Sequence, residues 1–230
     1  MIVTQRFIYL HLHKTAGSFI DRFLLRFMPD ARRIANNLPR RLAPASHAHL
    51  PALGFVRSPW SYYAAWYGFQ SRRRQSNALF DVLSDGGRLD FEHTIANMLE
   101  LGTTGARLDA LIAALPRSYT NTGLNLPGFA LEPIRASGRG FYSFLYRYMY
   151  DAPGFLHVRR VDRLANEWLS MLNDVGQPVT MAMQRYLEEA ARAEQPAPGS
   201  YAQHYGSALR ELVAERDADI IARHDYRFGE

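Results

Sequence analysis

The chain has 230 residues, of which 47% are hydrophobic, and it carries a net charge of +5. This length accommodates one domain with a full core, or a core with an added helical lobe. Cysteine is absent, which excludes disulfides, thiolate metal sites and a cysteine nucleophile, and fits a reducing compartment. The sequence shows neither a signal-peptide pattern nor an apolar run of membrane-spanning length, so it predicts a cytoplasmic protein.

The first third of the chain predicts two strands, each followed directly by a helix. Residues 6–13 alternate and are rich in aromatic and β-branched residues, which favours a strand, and helical spacing of apolar residues follows through about residue 28. The apolar run Ala52–Val56 is typical of a buried parallel strand. Pro59 suits the first turn of a helix that extends to Gln70. This order predicts an α/β fold with a central, mostly parallel sheet flanked by helices.

The rest of the chain predicts an insertion and a return to the sheet. Residues 72–150 combine short helical patterns with loops, and we expect this helical insertion to bind an acceptor substrate. Residues 155–159 predict a further buried strand. Further helices are predicted at 162–175, 180–194 and 207–224, with a Pro/Gly linker at 195–200. We expect residues 1–230 to form a single domain.

The turn after the first strand has the composition of a phosphate site. It contains Lys14, the only lysine beside 26 arginines, and a lysine supplies a compact point charge that a planar guanidinium does not. Gly17 permits close approach of a ligand, and Ser18 offers a hydroxyl at the start of a helix, where backbone N–H groups favour anions. The nucleotide-hydrolase pattern G-x-x-x-x-G-K-[ST] is absent, which disfavours magnesium-dependent phosphoryl transfer.

The segment H-K-T-A-G-S-F at residues 13–19 resembles the phosphosulfate-binding loop of the sulfotransferases that use 3′-phosphoadenosine 5′-phosphosulfate (PAPS). The resemblance implies a P-loop-like sulfotransferase fold. It also implies that Lys14 stabilises the leaving group at the bridging oxygen. The cradle of the 5′-phosphosulfate would then consist of Thr15, Ala16, Gly17 and Ser18. Phe19 would be the aromatic residue beside the adenine.

A second segment, residues 54–67, resembles the part of the same family that binds the 3′-phosphate. There a strand leads to an arginine, then to a proline and a helix, and the resemblance implies that Arg57 binds the 3′-phosphate. The family usually has a serine eight residues after this arginine, where this chain has Ala65. Either Ser61, a tyrosine hydroxyl or a later arginine replaces that contact, or the 3′-phosphate is bound more weakly.

A third segment, Ser46–Leu50, contains an H-x-H pattern like that of several glycan sulfotransferases. Transfer to an alcohol requires removal of a proton, and histidine titrates in the useful range. In an extended segment His47 and His49 point the same way, so either is a candidate for the base, with His47 slightly favoured.

Together these segments predict an enzyme that transfers a sulfuryl group from PAPS to a hydroxyl, or an amine, of a carbohydrate or glycolipid, without a metal or nucleic acid. Three alternatives remain from the sequence. The first is a nucleotide or small-molecule kinase. The second is a nonenzymatic protein that binds anions or nucleic acid, suggested by the pI of 9.6. The third is a metal protein that uses the histidines 11, 13, 47 and 49.

Overall fold

The computed structural model describes residues 1–193 and 200–230, so most of the predicted linker at 195–200 lies outside the described residues. The described residues form two compact units. The first comprises Met1–Arg57, Asn121–Leu124 and residues 146–193, and the second comprises Ser58–Thr120, Asn125–Leu145 and residues 200–230. None of the helices in the described ranges has both the length and the apolar character that crossing a bilayer requires.

Five strands and ten α-helices are found in the described residues. The strands are β1 (Ile2–Val3), β2 (Ile8–Leu10), β3 (Arg32–Arg33), β4 (Ala52–Val56) and β5 (Leu156–Arg160). The helices are α1 (Gly17–Phe27), α2 (Pro59–Gln70), α3 (Ala78–Leu83), α4 (Phe91–Leu99), α5 (Gly105–Ala114), α6 (Phe141–Tyr150), α7 (Leu164–Asp174), α8 (Met181–Ala193), α9 (Ser207–Arg216) and α10 (Ala218–His224). Residues 128–136 form a 3-10 helix.

The first unit contains a mixed sheet in the order β3-β1-β2-β4-β5. The pairs β2–β4 and β4–β5 are parallel, whereas β1 pairs antiparallel with both β2 and β3. The prediction of an α/β fold is confirmed, but a mostly parallel sheet holds only for the half that contains β2, β4 and β5. Since only four residues separate β1 from β2, the chain must reverse between them, and this forces an antiparallel pair.

The core of the first unit lies between the sheet and helices α1, α7 and α8. The apolar stripe of α1, which includes Phe23 and Leu24, packs with Trp168 of α7 and Leu187 of α8 in one buried cluster. Full burial of such side chains stabilises the fold by about 1.5–3 kcal/mol each. This packing fixes α1 against β2, and the loop that joins them is therefore held at both ends.

In the second unit, a buried carboxylate interrupts the helix predicted at 207–224. The chain instead forms α9 and α10, with Asp217 between them at φ −111° and ψ 22°. The fully buried carboxylate of Asp217 accepts hydrogen bonds from the Tyr63 hydroxyl at 2.7 Å and the Ser143 N–H at 2.8 Å. Burial raises the pKa of Asp217 to about 6.

We expect Asp217→Asn to flatten the pH dependence of stability. The pKa of Asp217 lies above its ordinary value of 3.8 in the folded state, so the folded state binds more protons between these pH values. Stability therefore falls as the pH rises from about 4 to about 6, by about 3 kcal/mol at most. Urea unfolding at about pH 4.5 and about pH 7.5 should show this loss in the wild type and not in the variant. Glu132→Gln, which removes an exposed partner of Arg135, should keep the wild-type slope; an unchanged slope in Asp217→Asn would contradict the assignment.

Candidate active site

The loop between β2 and α1 has an unusual backbone. Lys14 has φ 62° and Ala16 has φ 58°, although neither is a glycine or an asparagine. The left-handed conformation costs such residues roughly 1–2 kcal/mol each. Strained backbone that the surrounding structure maintains is characteristic of ligand-binding loops.

The sign of φ alternates along this loop, and this alternation directs its backbone N–H groups toward one side. Thr15 and Gly17 have negative φ, so the sign of φ alternates from residue 14 to residue 17. This alternation is the backbone pattern of an anion-binding nest, in which successive N–H groups converge. Within residues 1–193 and 200–230, the N–H groups of residues 15–18 have no hydrogen-bond acceptor, whereas the N–H of Phe19 donates to the Ala16 carbonyl at 3.0 Å. The loop therefore presents several donors at the positive end of the α1 dipole.

The side chains of the predicted cradle have different environments. The Thr15 hydroxyl is buried and donates to the Leu12 carbonyl at 2.7 Å, so Thr15 holds the turn together from inside. Ser18 is exposed at the first turn of α1, where its hydroxyl is accessible to a ligand. Phe19, predicted beside the adenine, is 4% exposed and stacks on Tyr186 with ring centroids 5.4 Å apart. Its ring belongs to the core of the first unit.

The side chain of Arg57 contacts the loop directly. The residue follows β4, and its Nη1 donates to the Lys14 carbonyl at 3.3 Å. Because β2 and β4 are parallel neighbours, with Leu10 beside Gly54, the residues that follow both strands lie at the same edge of the sheet. The only lysine of the chain and the arginine predicted for the 3′-phosphate are thus brought together, although 43 residues separate them.

Gly17 is required for a reason that the sequence did not indicate. A Cβ atom at this position would overlap the Cδ2 and Nε2 atoms of the His11 ring. The absence of a side chain at Gly17 thus makes room for the partly buried ring of His11, whereas the sequence suggested that it makes room for a ligand. His11 in turn packs its ring directly beneath the start of α1.

We expect Gly17→Ala to destabilise the protein by about 1–3 kcal/mol, because a methyl group is forced into an occupied space. The same substitution should displace the N–H groups of the loop and weaken anion binding. The double variant His11→Ala/Gly17→Ala removes the overlapping ring and should recover most of the stability in urea unfolding. Equal stability of the single and double variants would contradict this account of Gly17.

His47 and His49 lie in a hydrogen-bonded turn, so the prediction of an extended segment is wrong. The His47 N–H donates to the Pro44 carbonyl at 2.8 Å, and the Leu50 N–H donates to the His47 carbonyl at 2.9 Å. The Ser46 hydroxyl lies 2.8 Å from His47 Nδ1 and makes a further local contact. In a turn the two rings no longer share a direction as they would in a strand.

The turn also lies at the wrong edge of the sheet for a base beside Lys14. The Pro51 carbonyl accepts a hydrogen bond from Ile8 N–H, which places the turn at the start of β2 and β4. Lys14 follows the other end of β2, and the five-residue strand β4 spans about 16 Å. The structure therefore does not bring His47 or His49 together with Lys14.

Ser61 and Ala65 lie on α2, in the second unit. They are four residues apart and therefore share one face of the helix. Ser61 remains the predicted replacement for the hydroxyl that Ala65 lacks.

The sequence analysis did not predict the pair formed by His11 and Asp21, which lies near the loop. Asp21 lies on the buried face of α1, and its Oδ2 is 3.6 Å from His11 Nδ1 and 3.3 Å from Arg33 Nη2. The sequence carried one signal for this pair, since an acid beside the apolar stripe of a helix requires a partner. The sequence suggested His11 only as a candidate metal ligand.

Comparison of the chain with protein-family models, curated proteins and solved structures found no match. Among the described residues, no group of three or more His, Asp or Glu side chains is arranged to hold a metal ion. The two H-x-H pairs considered as a joint metal site follow β2 in one case and precede β4 in the other. They therefore flank opposite edges of the parallel part of the sheet.

Proposed function

We propose that the chain is a PAPS-dependent sulfotransferase with a P-loop-like sulfotransferase fold, and that the loop at residues 14–18 binds the 5′-phosphosulfate. The observation that carries the proposal is the alternating backbone of this loop, with its convergent N–H groups and its lysine. Arg57 supports it, because the arginine expected at the 3′-phosphate contacts the same loop. Donors and cations of this kind fit a polyanionic nucleotide.

The chemistry proposed is in-line transfer. PAPS supplies an activated sulfuryl group, which moves to an acceptor oxygen or nitrogen as the bond between sulfur and the bridging oxygen breaks. The acceptor releases its proton to water as the new bond to sulfur forms. The leaving group is 3′-phosphoadenosine 5′-phosphate, and negative charge builds on its 5′-phosphate. The ammonium of Lys14 and the N–H groups of the loop stabilise that charge, and such preorganised donors are worth several kcal/mol of the barrier.

The acceptor that we favour is a hydroxyl group of a carbohydrate or glycolipid. Residues 72–150 would determine which acceptor is bound. A screen of glycans, lipids and small phenols with ³⁵S-labelled PAPS tests the proposal. The expected result is metal-independent transfer of label to one acceptor class. Turnover of ATP that depends on magnesium, with no transfer of label from PAPS, would instead support a kinase.

A further inference from the structure

Two chain segments of the first unit meet at the edge of the sheet where the parallel strands begin, at the opposite end of those strands from the anion-binding loop. The Phe155 carbonyl accepts a hydrogen bond from the Ala52 N–H at 2.9 Å, so Phe155 lies beside the first residue of β4. Arg40 Nη1 donates to the Gly154 carbonyl at 3.2 Å, and this contact brings residues 40–42 to the same edge.

The amino-edge surface, which we define as residues 40–50 and 153–155, exposes apolar side chains. Phe155 is 78% exposed, the highest fraction among the large hydrophobic side chains that the structure describes. Leu42 is 38% exposed, and Pro153 is exposed as well. A partner that covered these side chains would remove apolar area from water, and this favours association.

The same surface carries cations that no carboxylate neutralises. Residues 34–57 contain no aspartate or glutamate. Arg40 and Arg41 both donate to backbone carbonyls, and among the described residues neither forms an ion pair with a carboxylate. The acidic residue closest in sequence to the second segment, Asp151, pairs with Arg147 at 3.7 Å. The amino-edge surface therefore has a net positive charge.

Arg41 presents its charge in an ordered geometry. The residue is exposed, and its Cζ lies 4.4 Å from the centroid of the Tyr148 ring. Its Nη1 also donates to the Tyr148 carbonyl at 3.3 Å. Because two contacts already orient this guanidinium, it loses little conformational freedom when it binds an anionic group.

We propose that the amino-edge surface docks on a membrane that contains anionic lipids, with Phe155 and Leu42 entering the boundary between headgroups and acyl chains and Arg41 contacting lipid phosphates. Apolar side chains beside unneutralised cations match the two layers of such a membrane surface. A soluble polyanion would engage Arg41 but offers no apolar layer to Phe155. The inference goes beyond the proposed function and does not rest on it.

Cosedimentation with sucrose-loaded vesicles tests the proposal. Vesicles of phosphatidylcholine with about 30% phosphatidylserine should bind the wild type at least roughly tenfold more tightly than vesicles of phosphatidylcholine alone, and added salt should weaken this binding. Phe155→Ser should lower the partition coefficient roughly tenfold, because the variant has no ring to bury. Arg41→Gln should lower it about fivefold, the usual effect of one cation near an anionic membrane.

The same unit offers matched controls away from the amino-edge surface. Met181 is 67% exposed on α8, and Met181→Ser should keep wild-type binding. Arg22 is exposed on α1, and Arg22→Gln removes the same charge as Arg41→Gln but should also keep wild-type binding. All four side chains are exposed, so the variants should unfold in urea at the wild-type concentration.

Three outcomes would overturn the docking proposal. The first is the absence of wild-type binding to the phosphatidylserine vesicles at about 0.05 M salt, where electrostatic attraction is strong. The second is an equal loss of binding in each variant and its control. The third is competition by heparin together with undiminished binding of Phe155→Ser, which would assign the surface to a soluble polyanion. None of these outcomes affects the proposed function, which nucleotide binding tests separately.

Discussion

Replacing Lys14 with alanine is expected to lower the rate of sulfuryl transfer about 10²–10³-fold, the usual effect of removing one preorganised donor from a developing charge. The fold should be unaffected, because Lys14 is partly exposed and alanine already adopts the same left-handed conformation at the nearby Ala16. Transfer of label from PAPS and urea unfolding measure the two effects separately. Near-wild-type transfer by the alanine variant would remove Lys14 from the mechanism.

Two further variants distinguish the role of the ammonium from that of charge in general. Lys14→Arg keeps the charge but spreads it over a planar group, and it should recover little of the lost rate. Arg22→Ala removes an exposed cation from α1, the helix that follows the loop, and this variant should keep nearly full activity. Equal losses in the Lys14 and Arg22 variants would indicate a nonspecific effect of net charge.

The composition of the chain makes Lys14 directly observable. Reductive methylation with ¹³C-formaldehyde modifies primary amines, and the chain contains only the Lys14 side chain and the amino group of Met1. The two signals can be assigned with the Lys14→Ala variant. The dimethyl-lysine signal should shift when 3′-phosphoadenosine 5′-phosphate binds.

Replacing Arg57 with glutamine is expected to remove the preference for a 3′-phosphorylated nucleotide. A charge-assisted hydrogen bond to a phosphate contributes about 1.5–3 kcal/mol, which corresponds to roughly 10- to 150-fold in affinity. The variant should therefore bind 3′-phosphoadenosine 5′-phosphate about as weakly as adenosine 5′-phosphate. Calorimetric titration with both nucleotides gives this ratio.

Arg159 offers a control on the neighbouring strand. It lies on β5, half exposed, and forms ion pairs with Glu167 at 3.8 Å and Asp174 at 3.5 Å. Arg159→Gln should keep the preference for the 3′-phosphate. A preference that survives in Arg57→Gln would show that another group binds this phosphate.

The local patterns that were strongest in the sequence predicted the fold best. The apolar spacing in residues 17–27 and Pro59 at the start of α2 correspond to observed helices, and β4 has the predicted bounds. The two-residue strands β1 and β3 were missed because their pairing depends on tertiary contacts. The break at Asp217 was missed for a similar reason, since its hydrogen-bond partners are 154 and 74 residues away in sequence.

The candidate site was predicted in part. The proximity of Lys14 and Arg57 follows from two parallel strands that each end in a loop. The left-handed conformation of Lys14 and Ala16 has no signal in residue type, because both residues ordinarily avoid it. The prediction that His47 lies near Lys14 did not take the direction of the strands into account. His47 precedes β4 and Lys14 follows the parallel strand β2, so the two residues lie at opposite edges of the sheet.

Titration of the wild-type protein with 3′-phosphoadenosine 5′-phosphate and with adenosine 5′-phosphate tests the central claim most directly. Both nucleotides carry the 5′-phosphate that the loop would bind, and only the first carries the phosphate assigned to Arg57. The proposed site predicts at least roughly tenfold tighter binding of the first nucleotide. Equal affinity for the two, or no binding of either, would contradict it.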